Sequence, residues 1–374
     1  MIKRTLSETI LASFNKGKAI VVLGPRQVGK TTLIQECLAD KEYLFLNGDD
    51  PVVHDALHKA GESKLRALIG RHSIVFIDEA QRIKDVGLIA KIITDQFKDV
   101  QLLISGSSAL DLNQSTQEPL TGRKMEYPMF PISWEEFEDH VGVLEGMAQL
   151  EERIIFGMYP DVINHRSDAR DVLNQLTSSY LYKDVLSRSG IQKPELLDRL
   201  LKALALQVGH EVSYNELAGL LEIDKATVSK YIDLLEKTFI VFRLTSFSRN
   251  LRNEIKHNRK IYFYDNGIRN AIIQNLNRLD VRVDKGALWE NFLISERMKM
   301  RSYHTLYANS YFWRTVQKQE IDLIEERDGQ LHAFEFKWNR RGKDKLPSSF
   351  IRGYGAIGQV IDTDIFREFV RGRV

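Results

Sequence analysis

The chain has 374 residues, 43% hydrophobic and 28% charged, with a formal net charge of +2 at pH 7, which is ordinary for a soluble globular protein with room for two or three domains. No window forms an uninterrupted apolar membrane span and no apolar signal segment opens the chain, so a cytoplasmic location without a membrane partner is expected. The single cysteine, Cys37, excludes an internal disulfide and a cysteine-based metal site.

The first element in chain order is the apolar run Ala19 to Leu23, read as a strand. It leads into Gly24-Pro25-Arg26-Gln27-Val28-Gly29-Lys30-Thr31-Thr32, which matches G-x-x-x-x-G-K-[ST], and a helical pattern follows. Such a loop turns its backbone N–H groups inward around phosphates, and the helix behind it presents a positive dipole end to the same anion. Lys30 is then expected on the β/γ-phosphates, and Thr31 on Mg²⁺. The cofactors implied are ATP and Mg²⁺.

A phosphate loop alone does not hydrolyse anything; a carboxylate for the metal and a group for the water are needed. The run Ile74 to Ile77 ends in Asp78-Glu79, as a buried parallel strand does when its carboxyl end opens on a ligand crevice. Asp78 is expected to hold Mg²⁺ and Glu79 to activate the water. The next apolar strand, Gln101 to Ser105, runs into Gly106-Ser107-Ser108, and Ser107 is the candidate sensor of the γ-phosphate, with a plain turn or helix cap as the competing reading. Thr121-Gly122-Arg123 precedes an alternating segment from Lys124 to Pro131. Arg123 is the candidate arginine finger, acting in cis or across a subunit boundary, against the competing reading of a solvated loop arginine.

Together these segments resemble the AAA-type P-loop ATPases, and most closely a prokaryotic family that joins this ATPase to a C-terminal domain of unknown function. Gly157-Met158-Tyr159-Pro160, Tyr262 to Gly267 and Trp289-Glu290-Asn291 stand where that family carries similar words. The resemblance implies an α/β parallel-sheet core over residues 1–135, a helical lid over 136–190 and ATP hydrolysis. It also implies a homo-oligomer, with a ring as one form.

Ser133 and Glu136 have capping-box spacing and open the helical region. Ser213-Tyr214-Asn215-Glu216 opens a second such helix. After a turn at Ile223-Asp224-Lys225, an amphipathic helix from about Ala226 to Lys237 completes a helix-turn-helix. With strands at Phe239 to Thr245 and Lys260 to Tyr264 it reads as a winged helix over 191–248, its wing extending to about 265. Lys225, Thr227, Ser229 and Lys230 would face DNA, although Asp233 and Glu236 on the same helix leave a protein-packing role open.

Residues 249–374 carry 24 Lys and Arg against 16 Asp and Glu, a net of +8, whereas the remainder is −6. Nucleic acid is therefore a candidate partner of the basic part. Within it, Asp328-Gly329 between two alternating runs predicts a hairpin. Period two places Glu320 and Asp322 on one face of the first strand, and Glu335 and Lys337 on one face of the second. The pattern is similar to the D…(D/E)-x-K core of restriction-endonuclease-like nucleases, which implies a second metal site at Glu290, Asp322 and Glu335 with Lys337. Cross-strand ion pairs on a solvated face are the competing reading. Two roles stay open: an ATP-driven or ATP-gated DNA-linked enzyme, or a nucleotide-dependent assembly switch with a silent nuclease-like domain.

Overall fold

The computed structural model describes residues 1–107, 120–181, 194–248, 259–339 and 345–372. Ser108 and the basic loop 249–258 lie outside them. The chain divides into two units, Met1–Ile132 with Lys237–Phe239, and Ser133–Glu236 with Ile240–Val374.

In the first unit, five parallel strands form one sheet in the order β2-β3-β4-β1-β5. They are β1 (Ala19–Leu23), β2 (Leu44–Asn47), β3 (Ile74–Asp78), β4 (Gln101–Gly106) and β5 (Lys124–Pro128). β1, β3 and β4 are buried along their whole length, which is why they read as continuous apolar runs without alternation. Leu65 and Ile69 of helix Glu62–Ile69, and Ile89, Ala90 and Ile93 of helix Val86–Gln96, share one core with Val21, Val75, Ile77 and Ile104. Phe239, at φ 59°, packs on this core with its ring 6.4 Å from that of Phe130.

The second unit is built on a mixed seven-stranded sheet, order β12-β11-β10-β9-β7-β8-β6. Its strands are β6 (Glu211–Val212), β7 (Val241–Ser246), β8 (Arg259–Phe263), β9 (Asn309–Arg314), β10 (Glu320–Arg327), β11 (Gln330–Phe336) and β12 (Ile357–Ile361). Two successive helices, Tyr214–Leu221 and Lys225–Lys237, form here, with Ser213 accepting the Glu216 amide at 3.3 Å. The boundary expected at 248 is not a boundary in the fold. The strands β7 and β8, expected as a wing, belong to the same sheet as β9 to β12, because β7 pairs parallel with β9 at Thr245–Tyr311 and Ser246–Phe312. The described helices of 136–181, expected as a separate lid, likewise fall within this unit. Ser133 opens them with a full capping box.

The three family-like segments meet in this unit's interior. Asp265 accepts the Met158 amide at 2.7 Å. Asn291 exchanges hydrogen bonds with the Phe263 backbone at 2.8 and 3.0 Å and donates to Asn266 at 2.6 Å. They position the long helix Lys285–Tyr303, which carries Glu290. At the entrance to that helix, Asp284 lies 2.6 Å from Arg269 and 2.8 Å from Arg282. Burial pushes its carboxyl up, but Arg282 and Arg269 outweigh burial and hold it at about 2, below the ordinary 3.8. A carboxyl lowered by folding stabilises the native state above the unfolded value, and that stability is lost as pH falls from about 4 to about 2. Asp284→Asn should therefore flatten the acid-unfolding curve across this window, and an unchanged curve would refute the assignment.

Candidate functional site

The loop Gly24 to Thr32 follows the carboxyl end of β1, between β4 and β5, where ligands bind in open parallel sheets. Two glycines are required by geometry. A Cβ on Gly24 would lie 2.0 Å from the Met129 carbonyl oxygen, and Gly29, at φ 91°, caps helix Lys30–Cys37 in a left-handed conformation. Lys30 is buried, and its ammonium donates to the carbonyls of Gly24 at 3.0 Å and Pro25 at 2.8 Å. Val28 is buried and Gln27 exposed. Thr31 donates its hydroxyl to Asp78 Oδ2 at 2.8 Å, joining the loop to the end of β3, whereas Thr32 is exposed on the helix. Arg26 is half-buried in the loop.

Three further residues at this edge escaped the sequence reading. Ser105 donates its hydroxyl to Asp78 Oδ1 and accepts the Glu79 amide at 3.3 Å. Gln81 donates to the Glu79 carboxylate and, at 3.1 Å, to Ser107 Oγ, while its own oxygen accepts the Ser107 amide at 3.3 Å. Glu79 itself has φ 46°, an unusual conformation for a residue with a side chain. Arg4, far upstream, braces the loop by donating to the carbonyls of Val28 at 2.8 Å and Phe130 at 2.7 Å. A lone polar residue in the strand at Ser105 was the one local signal.

Of the positions open to Arg123, the one beside its own chain's phosphate loop is not taken. It precedes β5, and since β5 runs parallel to β1 its carbonyl accepts the Ala19 amide at the amino end of the sheet. Five residues of strand at about 3.3 Å each put it about 16 Å from the phosphate loop. Its guanidinium is held there by Asp95 at 2.7 Å, so it does not reach its own chain's loop.

In the second unit, Glu290, Glu320, Asp322, Glu335 and Lys337 line one cavity of about 400 Å³ with His210 and Arg314. The hairpin forms as the sequence predicts: Arg327 pairs with Gln330, and Asp328 (φ 49°) and Gly329 (φ 78°) make the two-residue turn. A register shift between Ile321 and Ile324 disturbs β10 beside Asp322. Burial and the Glu290 carboxylate push Asp322 up to about 7. Burial and Asp322 do the same to Glu335. The expected metal cluster is not assembled: among the described residues no three or more His, Cys, Asp or Glu are placed to hold a metal ion. Lys260, read from the sequence only as part of a strand, pairs with Glu290 at 2.9 Å and Glu320 at 2.6 Å. Burial pulls its ammonium down, but Glu290, Asp322 and Glu320 outweigh that and hold it above its ordinary value.

With this geometry in place, comparison with known proteins assigns the parts. Residues 16–138 match the family described as AAA domain. The first unit is thus similar to AAA-type P-loop ATPase domains. Residues 147–279 and 285–365 match two domains of unknown function, DUF8612 and DUF4143. An uncharacterized protein of Mycobacterium tuberculosis is 27% identical over 341 residues, covering 90% of this chain and 74% of its own. One of Haemophilus influenzae is 25% identical over 357 residues, covering 87% and 85%. Among solved structures, a Walker-type ATPase of Pyrococcus abyssi covers 73% of this chain and 96% of its own at 16% identity and a TM-score of 0.50, a likeness of fold.

Proposed function

We propose that the chain binds ATP at Gly24 to Thr32, hydrolyses it with Mg²⁺, and uses its nucleotide state to gate an activity of the second unit. The observation that carries this reading is the meeting of Thr31 with Asp78 at the carboxyl edge of the sheet. These two would hold Mg²⁺, whose charge offsets that on the β- and γ-phosphates. Lys30 leaves the carbonyls of Gly24 and Pro25 and donates to the phosphate oxygens, alongside the loop amides. Glu79 orients the attacking water and accepts its proton, while Gln81 aligns Glu79 with Ser107. An arginine-finger role for Arg123 requires a second copy of the chain, as a ring would supply.

For the gated activity, exposed Lys225 and Lys230 on the second helix of the helix-turn-helix support duplex DNA as partner. The alternative, a switch whose nuclease-like domain is silent, is favoured by the pairing of Lys260 with Glu290 and Glu320. ATPase and nicking assays on one preparation, with and without Mg²⁺ and duplex DNA, separate the two. DNA-stimulated hydrolysis with nicking lost in Asp322→Ala supports the DNA-linked enzyme. Hydrolysis indifferent to DNA, no nicking, and a nucleotide-dependent change of oligomer support the switch. No Mg²⁺-dependent hydrolysis in any condition removes the proposal.

A further inference from the structure

A buried cation, Lys260, holds two of the acids that line the cavity of the second unit. Lys260 is only 1% exposed, yet its ammonium sits between Glu290 Oε1 and Glu320 Oε1. Tyr262, two residues along β8, donates its hydroxyl to the same Glu290 oxygen at 2.5 Å. On β11, Lys337 lies 2.6 Å from Glu335 Oε1, and Asp322 Oδ2 accepts the Phe336 amide at 2.8 Å. Glu335 Oε2 is buried without a hydrogen-bond partner. A Mg²⁺ ion demands near-octahedral oxygens at about 2.0 to 2.1 Å, whereas Glu290 Oε1 and Glu320 Oε1 are already drawn onto the Lys260 ammonium and Glu335 Oε1 onto that of Lys337.

A buried carboxylate is tolerated when a positive charge sits beside it, whatever the source of that charge. We infer that Lys260 is the internal cation of this pocket, its ammonium taking the place a divalent metal would occupy beside Glu290 and Glu320, so that the pocket keeps its acidic lining without a metal. A covalently tethered cation does not exchange with solution. The carboxylates are therefore held in place at any Mg²⁺ concentration, and metal entry is opposed by the charge already there. This role of Lys260 does not depend on the ATPase reading.

The test is calorimetric titration of the nucleotide-free full chain with Mn²⁺, in an Asp78→Asn background that removes the first unit's metal carboxylate. The chain with Lys260 should show no saturable heat up to about 1 mM Mn²⁺, and Lys260→Met should gain a site at least about tenfold tighter than that limit. Adding Asp322→Asn should abolish the gained site. Saturable Mn²⁺ binding by the Lys260 chain that Asp322→Asn removes overturns the inference, as does a folded Lys260→Met chain that gains no site. If Lys260→Met does not fold, Lys260→Met with Glu290→Gln removes the stranded charge and takes its place: a gained Mn²⁺ site supports the inference and its absence overturns it. The readout uses neither nucleotide nor turnover, so a failed ATPase reading leaves it intact.

Discussion

Lys30→Ala should abolish ATP binding by the first unit, while Glu79→Gln should keep the nucleotide and lose its turnover. In the proposed complex the Lys30 ammonium contacts two phosphates, and each hydrogen bond to a charged group contributes about 1.5 to 3 kcal/mol, so losing both weakens binding by roughly 10²- to 10⁴-fold. The side chain is already folded into the loop against the Gly24 and Pro25 carbonyls, so little rearrangement separates this arrangement from the bound one. Glu79→Gln keeps the shape of the side chain and its link to Gln81 but cannot accept a proton. Loss of a general base costs about 10²- to 10⁴-fold in kcat. Binding of a fluorescent nucleotide and single-turnover phosphate release measure the two effects separately. Equal turnover by the native chain and Glu79→Gln would end the assigned mechanism.

Arg297→Met should cost the second unit about 3 kcal/mol, near the low end for breaking a buried ion pair. Arg297 and Glu325 are both 0% exposed and meet in a two-pronged contact at 3.0 and 2.9 Å, and Arg297 also donates to the Phe369 carbonyl at 2.5 Å. Removing the guanidinium strands the carboxylate in the core. Arg301 at 3.7 Å and Arg327 at 3.6 Å soften the loss, which is why the low end is expected. All four tryptophans, Trp134, Trp289, Trp313 and Trp338, belong to the second unit, so their fluorescence in a denaturant titration follows that unit alone. Arg297→Met with Glu325→Leu should recover part of the stability, since two matched apolar groups replace the pair. A single variant within about 0.5 kcal/mol of native, the range of ordinary surface changes, would contradict this account.

The phosphate loop, the acids after β3 and the Asp328-Gly329 hairpin were legible because each is a local pattern, set by turn geometry and by residues adjacent in the chain. Ser105, Gln81 and Arg4 act through long-range placement: Arg4 reaches a carbonyl 126 residues away, which no window of sequence contains. Arg123 lies away from its own chain's phosphate loop for a reason of direction. In a parallel sheet, a residue that precedes a strand lies at the edge opposite the loops that follow strands. The boundary at 248 was misjudged because the β7–β9 pairing joins segments more than 60 residues apart in sequence. Lys260 was overlooked because its partners lie on a distant helix and a later strand.

The excursion of Lys237–Phe239 means that neither unit is a continuous stretch of chain. A protease cutting once after Ile132 would break the polypeptide without delivering an intact first unit. The amino-terminal fragment would lack Phe239, and the carboxyl-terminal fragment would carry away a side chain that belongs to the other core. Fragment 1–132 expressed alone should therefore expose an apolar edge beside Phe130, and a peptide containing residues 237–239, supplied in trans, is the piece that would complete it.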